Sequence, residues 1–263
     1  MIRRRLVGSR IGDALMAARS HAELIWLALF HPEQFGGAYN DALALRLTAA
    51  LCEGTFLDIG AHIGSVSAAV LRRHPGTDII AIEAVPEKAA WLRQRFPSID
   101  VRECAVSDRR GRATFHVDLD QPGYSSLLGT PSEHHSRAIE VEVVPLDELL
   151  PQQSVSLIKI DVEGAEIDVL RGASALTARC QPLFVFESAV RGDPPAIWQW
   201  FAARDYGLYT PSRIPHDGDG MALESFLDCH PYPRRTMNYF AIPNARRSQV
   251  REAARRELRV VVT

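Results

Sequence analysis

Hydrophobic positions along the chain follow two different periods. Leu43, Leu47 and Leu51 fall four apart, which puts them on one helix face. The spacing predicts helix from residue 1 to about 52, with Gly54 as a stop. From residue 55 the pattern changes to short apolar runs separated by helical stretches. Strands are predicted at 55–59, 78–83 and 101–106, and helices at 65–73 and 87–95. Ala113, Phe115 and Val117, then Ile139, Val141 and Val143, alternate with polar residues and predict two half-exposed strands. A polar stretch over 118–136 joins them and reads as a mobile loop near a site. Strand and helix then alternate again: strands at 156–160, 183–186, 206–210 and 238–242, helices at 165–171 (capped by Gly172) and 194–203. Such alternation implies a parallel sheet with helices on its faces.

The chain has 263 residues, enough to bury a large core without staples, and an α/β unit of this size is ordinary as one domain. Lys plus Arg number 30 and Asp plus Glu 32, for a net charge of -2, which gives no support to nucleic-acid binding. Cys52, Cys104, Cys180 and Cys229 form no CxxC pair, so neither a disulfide framework nor a zinc site is expected, and a reducing cytoplasm is the default compartment. Arg3, Arg4 and Arg5 ahead of the apolar run at 24–30 mimic a secretory leader. Gly12, Asp13, Arg19 and Glu23 intervene, however, and His31-Pro32-Glu33 offers no small-residue cleavage site. The run is too short for a transmembrane segment. It reads as a packing helix, with a membrane-surface role as the alternative. The Arg-rich end (Arg246, Arg247, Arg251, Arg255, Arg256, Arg259) also carries Glu252 and Glu257. It reads as a solvated terminal helix or as a basic docking surface.

The segment Asp58-Ile-Gly60-Ala-His62-Ile-Gly64 joins the first strand to a helix N-terminus. Glycines there let backbone approach a ligand closely. A dinucleotide turn reads GxGxxG and presents N–H groups to a pyrophosphate. Here the middle glycine is missing, and Asp58 would repel phosphate. A cationic ligand without phosphate, S-adenosylmethionine, fits better. Glu83 ends the second strand, 25 residues after Asp58, where a nucleoside ribose lies in a doubly wound sheet. Its carboxylate can accept from both ribose hydroxyls, each bond worth roughly 1.5–3 kcal/mol. A solvent-facing strand end is the alternative for Glu83, and a helix-capping carboxylate for Asp58. Asp108 either meets the adenine edge or is a turn residue.

Lys159-Ile-Asp161-Val-Glu163-Gly-Ala-Glu166 is the second constellation. Lys159 and Asp161 share a strand face, and Glu163 and Glu166 can share a turn of the following helix. Three readings stay open: acid–base work on an acceptor hydroxyl, a structural network neutralised by Lys159, or a divalent-metal site of hard oxygen ligands. Glu187 points to the same sheet edge and is a further candidate. Asp161 and Glu163 lead as catalytic bases and His62 comes third, against its alternative as a loop residue packed on the ligand. His134 and His135 are either solvated or acceptor-contacting. Ser125 and Ser126 either close the loop over an acceptor or make an ordinary turn.

These segments resemble the FkbM-type methyltransferases, a class I S-adenosylmethionine-dependent family. The resemblance rests on Phe56-Leu-Asp-Ile-Gly-Ala-His-Ile-Gly64, Ile82-Glu-Ala-Val-Pro86, Leu157-Ile-Lys-Ile-Asp-Val-Glu-Gly-Ala-Glu166 with Val169-Leu-Arg-Gly172, Phe184 to Glu187, and Ser125-Ser126-Leu127. It covers about 54–190, with 238–243 as a last strand. Ala84-Val85 stands where many relatives carry Glu-Pro directly. The resemblance implies a Rossmann-like α/β fold, mostly parallel with an antiparallel last strand and helices on both faces. It also implies S-adenosylmethionine as cofactor; the binding set read from these segments is Asp58, Gly60, Ala61, His62, Gly64, Glu83, Asp108 and Asp161, with no residue assigned to a metal and the divalent-metal reading still open. The implied reaction is O-methylation of a sugar, glycolipid or polyketide-like acceptor. Three regions are expected: a helical extension at 1–53 that covers the acceptor side or forms a homo-oligomer interface, a methyltransferase domain at 54–245, and an Arg-rich helix or tail at 246–263. An NAD-type oxidoreductase and a non-catalytic adaptor are the alternatives.

Overall fold

The computed structural model describes residues 10–119, 127, 135–188, 192–231 and 236–260. Arg3, Arg4, Arg5, Ser125, Ser126 and His134 lie outside the described residues. The predicted N-terminal helix is two helices, α1 (Arg10–Phe30) and α2 (Pro32–Leu51), broken at His31 because Pro32 has no N–H and can only open a helix. Strand β1 (Phe56–Ile59), helix α3 (Ser65–Arg73), strand β2 (Ile79–Ile82) and helix α4 (Pro86–Arg95) follow as the apolar spacing requires.

The predicted strand at 101–106 is two short strands, β3 (Asp100–Arg102) and β4 (Ala105–Val106), and they belong to different sheets. The chain leaves the main sheet after Arg102, so that Ala105 and Val106 can pair with Val143 and Val144. Strands β5 (Gly111–Asp118) and β6 (Ser136–Val144) form an antiparallel hairpin, and with β4 they make a small three-stranded sheet. Its apolar face meets Ala84, just past the end of β2. A short helix α5 (Leu146–Leu149) leads to β7 (Leu157–Ile160), α6 (Glu166–Arg171), α7 (Ser174–Cys180) and β8 (Leu183–Glu187). Then come α8 (Pro194–Ala202), β9 (Tyr206–Tyr209), α9 (Leu223–Leu227), β10 (Asn238–Pro243) and α10 (Arg247–Leu258). Helices α5, α7 and α9 were not foreseen; each is a turn or two long, too short for a clear period.

The main sheet runs β3-β2-β1-β7-β8-β10-β9, parallel throughout except for β10, which is antiparallel to both neighbours. The strands are apolar on both faces because helices cover both. Phe56, Leu157 and Leu183 share one core cluster with Leu47, Val70, Leu92 and Val250, on the side of α2, α3, α4 and α10. Leu57, Ile158 and Phe184 share the other with Val169, Leu176, Phe201 and Phe226, on the side of α6 to α9.

The region read as an extension therefore divides. Helix α2 buries Leu43, Ala44, Leu47 and Leu51 and belongs to the domain core, while α1 packs on α2 through Leu27. The Arg-rich end is a packed helix. Val250 and Ala254 are buried, and its charges are matched inside the chain: Arg247 by Asp219, Arg251 and Arg255 by Asp217, and Glu257 by Arg46 and Arg73. Gly172 caps α6, but with right-handed backbone. Glycine is needed there because a Cβ would come 2.1 Å from the Ser107 carbonyl oxygen.

Candidate active site

The carboxyl ends of β1, β2, β7 and β8 open on a cavity of about 340 Å³, within the range of small-molecule sites. One wall is apolar: Ile59, Ile82, Ala84, Cys104, Ala105 and Val106, with Phe115 and Leu127. Burial pushes the Cys104 thiol up to about 11, so it packs there as a neutral group. The other wall carries His62, Glu83, Lys88, Asp161, Glu163 and Glu187.

Glu83 is 5% exposed, and backbone holds it in place. One oxygen accepts the His62 N–H at 2.8 Å, the other the Val85 N–H at 2.9 Å. A carboxylate offers about four lone-pair sites, so each oxygen keeps capacity for another donor. Burial raises the Glu83 carboxyl above its ordinary range, while the Lys88 ammonium pulls it down. His62 reaches this position in left-handed backbone, φ 52°. Gly60 (φ 74°) is tighter still, since a Cβ would meet the Asp161 carbonyl oxygen at 1.9 Å.

Asp58 does not face the cavity. It is 1% exposed, takes the Ser67 hydroxyl of α3 at 2.6 Å, and lies 3.5 Å from Lys159 on the neighbouring strand, its partner in register. Its charge is thus spent within the fold, locking the glycine turn to the sheet. Lys159 also donates to the Gly60 carbonyl oxygen at 3.0 Å and pairs with Asp161 at 3.0 Å. Burial alone would push the Lys159 ammonium down, yet Asp161 and Asp58 carry it above its ordinary range. The structural network read from the sequence is therefore present, with Asp161 at its open end.

Glu163 and Glu166 do not share a helix turn. Glu163 sits in the loop before α6 with φ 54°, and its side chain lines the cavity. Glu166 is buried at 2% exposure and folds back to accept the Gly164 N–H at 2.8 Å, so it serves the loop. Asp161, Glu163 and Glu187 come together, one oxygen of each within 4.8 Å of the others. Burial, then the charges of Asp161 and Glu163, push Glu187 up to about 9.

Gly64 caps α3 and Ala61 is buried in the turn; neither lines the cavity. Asp108 stands away from it too, against Arg109 at 3.2 Å. His135 is exposed beside β6, its carbonyl oxygen accepting the Leu119 N–H. The sequence did not single out Lys88, Met237 or Asp41, and it marked Phe115 only as a strand position and Leu127 only as a family position. Asp41 of α2 accepts from Asn238, which pairs with Glu187 in register, and its charge bears on Glu187. The alternation of Phe115 signalled a strand face; no local signal told which surface that face covers.

Residues 58–208 match the family described as the methyltransferase FkbM domain. The chain is 33% identical to the 2-O-methyltransferase NoeI of Sinorhizobium fredii, over 44% of this chain and 56% of that protein. It is 25% identical to Methyltransferase 1 of Beauveria bassiana, over 44% and 57%. Among solved structures it is similar to a methyltransferase FkbM from Methylobacillus flagellatus, at 19% identity and TM-score 0.46, over 72% of this chain and 43% of that one. The chain thus spans a little over half the length of the curated relatives it matches.

Proposed function

Because the chain belongs to the FkbM methyltransferase domain family, we propose that it is an S-adenosylmethionine-dependent O-methyltransferase acting on a hydroxyl of a sugar, glycolipid or polyketide-like natural product. The observation that carries this reading is one cavity that joins a backbone-held buried carboxylate, an apolar wall and three clustered carboxylates. The activity printed for the Sinorhizobium relative, 2-O-methylation, supports oxygen as the acceptor atom. Membership of a methyltransferase family sets aside the oxidoreductase alternative.

The residues fit the donor. Glu83 has acceptor capacity for ribose hydroxyls. The apolar wall from Cys104 to Val106 suits a purine face. Asp161 and Glu163 set negative charge where a sulfonium and an ammonium are welcome and a pyrophosphate is not, with the protonated Glu187 beside them. When bound, S-adenosylmethionine supplies a methyl group already activated for in-line displacement. The chain's own work is then alignment, worth up to about 7–11 kcal/mol, and acceptance of the hydroxyl proton, worth roughly 10²–10⁴-fold. Asp161 and Glu163 are the groups assigned to that proton. Asp161 keeps its orientation through Lys159, which is anchored on Gly60 and Asp58. His62 contributes its N–H to Glu83, which makes it a positioning residue for the cofactor turn.

Calorimetric titration with S-adenosylmethionine tests this reading. Binding is expected, and Glu83→Ala is expected to weaken it about tenfold or more, the equivalent of ~1.4 kcal/mol. No heat and no shift in melting temperature would overturn the reading. Binding without methyl transfer to any member of a hydroxylated acceptor panel would leave a donor-binding adaptor. The same three carboxylates could hold a divalent cation. An activity abolished by a chelator and restored by Mg²⁺ would assign them to a metal.

A further inference from the structure

A second cavity, of about 570 Å³, lies on the same edge of the sheet as the first. The first half of α2 forms one side of it; the segments after β9 and before β10, with α9, form the other. Strands β8 and β9 are both antiparallel to β10, so they run the same way and both end on the carboxyl edge. Neighbouring strands are about 4.8 Å apart, so Thr210, just past β9, stands roughly 10 Å across the edge from Glu187 at the end of β8. A thin wall divides the two cavities. Thr236 lines the second, and the next residue, Met237, lines the first. Asn40 lines the second, while Asp41 accepts from Asn238, the register partner of Glu187.

The second lining is polar where the first has an apolar wall. It offers the hydroxyls of Thr210 and Ser212, the carboxylates of Glu33 and Asp228 and the Arg213 guanidinium; among the described residues Met221 is its only long apolar side chain. Two carboxylates against one guanidinium disfavour a phosphate, sulfate or carboxylate ligand. Arg213 has no ion pair and no side-chain hydrogen bond among the described residues, so its donors are open to a ligand. An uncharged polyol answers both kinds of group, since each hydroxyl donates and accepts. The walls are held together: Asn40 Oδ1 accepts the Ser212 N–H at 3.0 Å, which ties α2 to the turn after β9.

Gly36 is an independent observation at the same place. It sits inside α2, where glycine is among the poorest residues. Its backbone is not left-handed, and a Cβ would meet nothing within 4 Å, so neither chain direction nor packing requires glycine there. The missing side chain widens the cavity and lets a ligand come close to the helix backbone.

We propose that the second cavity holds the neighbouring units of a carbohydrate chain whose methylated unit occupies the first, so that the acceptor is a glycan of two or more units. The inference rests on the proposed methyl transfer for the first cavity and names the acceptor class for it. Calorimetry and initial rates test it, with single-unit methyl glycosides of glucose, galactose, mannose, xylose and rhamnose and their two- to four-unit chains as probes. In at least one series the chains are expected to bind about tenfold more tightly than the single unit, the gain of one or two hydrogen bonds, with KM lower by a similar factor. Gly36→Trp puts an indole into the open space and is expected to erase that length preference, with melting temperature and S-adenosylmethionine affinity matching the parent chain. Arg213→Ala removes an exposed side chain without a partner in the described fold and is expected to narrow the preference too, so the inference does not depend on the tryptophan variant folding. Chains and single units equal in every series would overturn the inference, and so would a preference that survives both variants. A length preference in binding without methyl transfer would sink the proposed activity and leave the glycan site standing. Methyl transfer to single units with no length preference would do the reverse.

Discussion

Glu187 is the group whose protonation most directly reports the electrostatics of the site. Its carboxyl has moved from 4.5 to about 9, through burial and through the charges of Asp161 and Glu163. The folded chain therefore keeps a proton that the unfolded chain releases, all the way from about pH 4.5 to about pH 9. Where the folded state binds more protons, stability falls as pH rises. One unit is worth about 1.4 kcal/mol, so going from about pH 5 to about pH 7 costs the fold on the order of 2–3 kcal/mol through this group. Glu187→Gln preserves the shape and never ionises. Its melting temperature should exceed that of the parent chain by a margin that widens as pH rises. At about 2–4 °C per kcal/mol the margin should grow by up to roughly 10 °C between those two pH values. Differential scanning calorimetry across the range measures it. A margin that stays constant, or that widens toward acid, would refute the account of three carboxylates crowded in one half-buried corner.

Gly60→Ala should destabilise the chain by about 3 kcal/mol or more and abolish donor binding, because the new Cβ collides with the Asp161 carbonyl in left-handed backbone; unchanged melting would show that the turn has room. Lys159→Met leaves the 1% exposed Asp58 without its cation and should cost about 3–5 kcal/mol, much of it recovered by adding Asp58→Asn. Equal stability of the single and double variants in urea melts would remove the buried pair from the account. Asp161→Asn should lower turnover at saturating donor roughly 10²-fold, over and above any fall in donor affinity. Normal turnover with an identified acceptor would return Asp161 to a purely structural place beside Lys159.

The alternation of strand and helix could be read from the chain because its signals are local. Leu43, Leu47 and Leu51 mark a helix face, and fully apolar tetrads such as Ile79–Ile82 mark strands covered on both sides. A parallel sheet then puts the loop after each strand on one edge, so Gly60, His62, Glu83, Asp161, Glu163 and Glu187 could be assigned to one place before any coordinates. The carboxylate chosen to attract the cationic donor was another matter. Asp58 stands beside the turn in sequence, but the register of β1 with β7 delivers it to Lys159 and hides it from the cavity. The negative charge that faces a ligand comes from Glu83, Asp161 and Glu163, while Glu187 beside them keeps its proton.

Pairing and burial depend on partners far along the chain, and these only the tertiary structure decided. The split of 101–106 between two sheets follows from β6, some forty residues later. The approach of Asp41 to Glu187 follows from the path of α2 across one sheet face. The sequence by itself determined the order of elements and the edge on which chemistry collects, since period and strand direction are properties of short segments. Which acids keep their charge for a ligand, and which spend it on the fold, was settled by contacts between segments that no window along the chain contains.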